Sequence, residues 1–67
     1  MELIINGHRK YVEPEYNTVS KLLESLSLGH KTVIVEHNQQ ILQKEEHPHI
    51  TLAEKDILEI VHFVGGG

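Results

Sequence analysis

The residues best suited to chemistry stand at the end of the sequence, where Gly65, Gly66 and Gly67 follow the apolar run at 60–64 with no polar spacer. Glycines lack side chains, so such a tail can thread a narrow channel and let a partner's backbone approach closely. What it presents is a carboxylate, which is a poor electrophile until another enzyme activates it in a correctly aligned site. The chain contains no cysteine, so a sulfur or acyl cargo has no side-chain thiol to ride on and a chain end is the attachment point left. Gly67 is therefore the candidate reacting residue, with Gly65 and Gly66 as the segment that reaches into partner sites.

Other chemistry-bearing types read as structural. His47-Pro48-His49 has a spacing that can turn two imidazoles to one side of an extended segment. Without cysteine or a third ligand nearby, it is expected to be a pair of solvated loop histidines and not a metal site. His62 is isolated and is read as structural. Glu45-Glu46 is read as a solvated acidic pair, because nothing around it suggests the burial that would separate two carboxyl pKa values.

Composition narrows the function classes. A chain of 67 residues forms one domain, here 1–67, and buries only roughly 60% of the surface its unfolded form exposes. A water-excluding catalytic pocket of its own is therefore disfavoured, and a carrier or binding role is favoured. The formal charge of −4 opposes nucleic-acid binding. No segment has the length and apolarity of a membrane span or a secretory leader, so a cytoplasmic protein is expected, monomeric when free. Stability must come from packing alone.

The elements that position the tail can be read next. Leu3 and Ile5 alternate along a first strand, Asn6-Gly7 supplies a hairpin turn, and 9–12 forms the return strand. Thr18 is placed to cap a helix whose apolar face is Val19, Leu22, Leu23 and Leu26, spaced i, i+3, i+4 and i+7. Gly29 is expected to end it in a left-handed conformation. A β-branched strand at 32–37, a turn at 38–40, a short strand at 41–44 and a long strand at 57–64 complete the order, with 45–56 polar and irregular. This is an α+β domain with one main helix on one face of a mixed sheet of four to five strands. With the first and last strands paired in parallel, it is the ubiquitin-like β-grasp arrangement, ending in a flexible C-terminal glycine tail.

The segments 1–6, Thr18-Val19 with Leu22-Leu23, 33–36, Asn38, Asp56 and 59–67 together resemble the thiamine sulfur-carrier family, ThiS, over essentially the whole chain. The resemblance implies that the Gly67 carboxylate is adenylated by a ubiquitin-activating-like adenylyltransferase (ThiF type) using ATP. It also implies conversion to a thiocarboxylate, with sulfur from cysteine through a donor such as a cysteine desulfurase, and delivery to thiazole synthase (ThiG type). The chain itself would be a protein co-substrate, not an enzyme, and would bind no cofactor or metal. One departure is Lys55, where many relatives carry Gly before Asp56; a positive φ there would strain the turn slightly.

The last strand is apolar in both phases, yet one helix covers only one face of the sheet. Following the resemblance, Leu3, Ile5, Val33, Val35, Leu58 and Ile60 are assigned to the core with the helix leucines. Ile4, Ile34, Val61 and Phe63 are left outward and, with Val64, are the candidate partner-binding residues. Two alternatives use similar tail chemistry: a ubiquitin-like modifier conjugated to lysines, and a molybdopterin-synthase small subunit. A non-covalent β-grasp interaction domain is disfavoured by the tail.

Overall fold

The hairpin forms as its turn residues dictate: β1 (Glu2–Ile5) and β2 (His8–Tyr11) pair antiparallel, and Asn6 and Gly7 take φ of 51° and 82°, the two positive values of a type I′ turn. The structure, a computed structural model, describes residues 1–63. Helix α1 (Val19–Ser25) opens at Thr18, an extended residue whose hydroxyl oxygen accepts the Lys21 N–H at 3.2 Å. That bond satisfies one of the amides every helix start leaves free.

Gly29 does not end the helix. Ser27 takes the left-handed conformation, with φ 62°, while its N–H donates to the Glu24 carbonyl at 3.0 Å and the Leu28 N–H to the Leu23 carbonyl at 2.8 Å. This is a Schellman closure two residues earlier than the glycine suggested. Gly29 is exposed beyond that closure, and a Cβ on it would stand 3.0 Å from Cγ of the exposed Glu24 side chain.

β3 (Val33–His37) and β4 (Gln40–Ile41) are joined by a second tight turn, Asn38 and Gln39 at φ 47° and 73°. β5 (Ile57–His62) lies at the centre of a five-stranded sheet of order β2-β1-β5-β3-β4, parallel to β1 and antiparallel to β3. The parallel pairing of first and last strands is thus present. The stretch expected to be irregular contains a 3-10 helix, Lys44–His49, whose start is held by the Gln43 N–H donating to the Glu46 carboxylate at 2.7 Å. Lys55 does take a positive φ, 71°, in the turn before β5, where its N–H donates to the Glu2 carbonyl at 2.7 Å and its ammonium meets the Glu2 carboxylate at 2.6 Å.

The core lies between α1 and the sheet. Leu3, Val35, Leu58 and Val19 are fully buried with Leu22, and Leu23, Ile60, Val12, Leu42 and Leu52 close around them. Ile5, Val33 and Leu26, expected inside, pack against its margin and are only partly buried. Each fully buried aliphatic side chain contributes about 1.5–3 kcal/mol, so the three helix residues Val19, Leu22 and Leu23 anchor α1 to the sheet. Among the described residues no helix is long and apolar enough to cross a membrane.

Candidate functional site

The strand that leads to the glycines is held on both sides and at two points by asparagine side chains. Asn38 accepts the Ile57 N–H on Oδ1 at 2.9 Å, where β5 begins. Asn6 then brackets Ile60, its amide donating to the Ile60 carbonyl at 3.0 Å and its oxygen accepting the Ile60 N–H at 2.7 Å. β1 has turned away by then, so Asn6 prolongs the ladder where strand pairing would leave a half-buried backbone unsatisfied. Past His62, the Phe63 N–H still donates to the Thr32 carbonyl at 3.2 Å. Val64, Gly65, Gly66 and Gly67 lie outside the described residues.

The face of the sheet away from α1 carries the expected outward phase. Ile34 and Val61 are direct cross-strand partners on β3 and β5, 46% and 55% exposed, and Phe63 follows at 56%. Ile4 also faces outward but is half-buried, and its partner in the sheet is Ile57. Between the two apolar pairs stand Glu36 and Glu59, directly opposite each other. Val61 is four residues from Ile57, roughly 13 Å along the strand, so Ile4 belongs to a separate apolar spot. Ile34, Val61 and Phe63 form the spot nearest residue 64. Ile57, which is 50% exposed, was legible as an outward residue, since it shares the phase of Val61.

The histidines divide. His37 meets Asp56 at 2.8 Å, and the Asp56 carboxylate also receives the Asn38 amide at 3.1 Å and the Ala53 N–H at 2.9 Å. Burial, the largest single influence on Asp56, opposes its charge. The hydrogen bond from His37, then those from Ala53 and Asn38, outweigh it together with the His37 charge, and the carboxyl lies below its ordinary value. This cluster ties two turns together at the start of β5, roughly 20 Å along the strand from Phe63, and is remote from the tail.

His47 is not a solvated loop residue, as its sequence neighbourhood suggested. It is buried, 6% exposed, with Nε2 enclosed and lacking a hydrogen-bond partner, whereas His49 is exposed. Burial is the main cause that pushes the His47 pKa down. Among the described residues no group of three or more His, Asp or Glu is arranged to hold a metal ion. His62, though in phase with Leu58 and Ile60, is exposed at the strand end, and Glu45 and Glu46 are exposed as expected, Glu46 serving as the helix cap.

A model of the ThiS family matches residues 3–67. The chain belongs to the ThiS family. It is 43% identical over 65 residues to the sulfur carrier protein ThiS of Bacillus subtilis (strain 168), covering 97% of this chain and 98% of that protein. The crystal structure of the thiamine biosynthesis protein ThiS from Geobacter metallireducens superposes with a TM-score of 0.82 at 32% identity, with 100% of each chain covered. That agreement makes the ubiquitin-like β-grasp assignment a property of the family's solved fold. The full chain is also 37% identical to a stretch of the thiazole synthase of Paramagnetospirillum magneticum (strain ATCC 700264 / AMB-1), where it spans 20% of that protein's length.

Proposed function

We propose that this ThiS-family chain is a sulfur carrier for thiamine thiazole formation, acted on by partner enzymes and not itself a catalyst. The observation that carries the reading is end-to-end similarity to a ThiS sulfur carrier, joined to a β-grasp whose central strand leads into Gly65, Gly66 and Gly67. In the first step an oxygen of the Gly67 carboxylate attacks the α-phosphorus of ATP held by an adenylyltransferase, and pyrophosphate leaves. The outer sulfur of a persulfide, the form in which a cysteine desulfurase passes sulfur on, then attacks the acyl carbon and displaces AMP to give an acyl disulfide. A second thiol of the donor system cleaves the S–S bond, leaving with the donor sulfur as a disulfide and freeing the thiocarboxylate. That group is nucleophilic through sulfur, as a thiolate is, and thiazole synthase takes the sulfur from it. A segment resembling the whole of this chain within a protein named thiazole synthase supports that partner, because a carrier and its acceptor gain effective concentration when they share a chain.

The Ile34, Val61 and Phe63 spot is the docking contact in this reading. It lies on the uncovered face beside the root of residues 64–67, so a partner enclosing the glycines would cover it. Adenylation is tested by mixing the chain with the adenylyltransferase and ATP and measuring pyrophosphate-linked exchange. The native chain is expected to be active, while a chain lacking Gly67 or extended beyond it is expected to be inactive with an unchanged unfolding curve. Normal adenylation of the extended chain would contradict the mechanism.

A further inference from the structure

A groove of about 490 Å³ lies beside the C-terminal end of α1, bounded by the loop into β3 and by the 3-10 helix. Lys31 and Lys44 line it with His30 and His47, against one lining carboxylate, Glu24. In a chain with ten Asp and Glu against six Lys and Arg, this is a local reversal of sign. Neither lysine is ion-paired among the described residues, whereas Lys55 is engaged by Glu2. Thr32 also lines the groove, and its carbonyl accepts the Phe63 N–H at 3.2 Å. The basic wall therefore adjoins the point where the chain leaves β5 for residues 64–67.

We propose that Lys31 and Lys44 form a basic rim that receives acidic side chains of the thiazole synthase into which residues 64–67 reach. This rests on the carrier reading above. A protein that encloses an extended glycine segment must lie against its root, and at that root the free cations stand on one side and the apolar Ile34, Val61 and Phe63 spot on the other. An acidic patch on the partner meets a chain of net charge −4 in which Lys31 and Lys44 are the unpaired lysines at this root, while the exposed Arg9, Lys10 and Lys21 stand on β2 and the first turn of α1, so the charge pattern favours one orientation of approach.

The test compares binding of thiazole synthase to the native chain, to Lys31→Gln/Lys44→Gln and to Lys10→Gln/Lys21→Gln. The two pairs change net charge equally, and all four lysines are exposed, so unfolding curves should superimpose. The groove pair is expected to slow association roughly three- to tenfold at low salt, with the difference closing at high salt, while the control pair leaves the rate unchanged. Equal slowing by both pairs, or by neither, would overturn the proposal. Saturable resonance shifts at 29–33 on adding inorganic phosphate, with enzyme binding indifferent to the lysines, would assign the groove to a free anion and overturn it equally. Failure of the native chain itself to bind thiazole synthase would instead remove the carrier reading, and the rim with it.

Discussion

Single residues here perform tasks that their type announces only in part. Asn6 was readable as a turn residue, but its bracket on Ile60 depends on a strand more than fifty positions away, and no local pattern encodes that contact. His47 was misread for a related reason: it sits among Glu45, Glu46 and Pro48, which look solvated, and only packing of the 3-10 helix encloses it. Its pKa is lowered in the folded chain, chiefly by burial. The unfolded chain therefore takes up the proton first, and the stability His47 contributes is complete above about pH 6.5 and lost as pH falls through the folded value. Urea midpoints of the native chain should accordingly drop between pH 7.5 and 5.5, and those of His47→Leu should drop less; parallel declines would show that His47 is not the titrating group. Phe63 tests the docking spot. Phe63→Ala should weaken binding to thiazole synthase by about 1–3 kcal/mol with little change in unfolding, because the ring is 56% exposed. Weakening matched by an equal loss of stability would place the ring in a structural role instead.

The elements were legible wherever periodicity and turn chemistry agreed. The i, i+3, i+4 spacing located Val19, Leu22 and Leu23 on the buried face of α1, and Asn6-Gly7 fixed the register of β1 on β2. Leu23→Ala should cost roughly 2–5 kcal/mol, while Lys21→Ala, on the exposed face, should cost little; equal midpoints in urea would mean that the helix face is wrongly assigned. Two elements were not legible. The 3-10 helix has no apolar repeat, and it is held by the Glu46 carboxylate on the Gln43 N–H and by His47 within. Glycine is the common left-handed residue, which points to Gly29 as the helix stop, yet Ser27 takes that conformation and Gly29 lies two residues beyond it. The outward face was read correctly in phase, but not in its division by Glu36 and Glu59, since the pairing of β3 with β5 sets which residues stand opposite one another.

At the scale of the whole molecule, the sheet places its most central strand, β5, just before the glycines in the chain, so the end proposed to react follows the element with neighbours on both sides. α1 covers one face and leaves the apolar Ile34, Val61 and Phe63 spot of the other exposed, which suits the proposed carrier role. The family and fold were legible because a glycine tail directly after an apolar strand is distinctive. The cargo at Gly67 is the claim on which the functional account turns, and the absence of cysteine makes it directly measurable, since the chain has no other sulfur able to react as a thiol. Protein purified from cells making thiamine should show, in its intact mass, one oxygen replaced by sulfur, should take up a single thiol-alkylating group, and should yield that label on a fragment containing Gly67. Unmodified mass with no alkylation from such cells, or recovery of Gly67 joined to a lysine of another protein, would contradict the sulfur-carrier account.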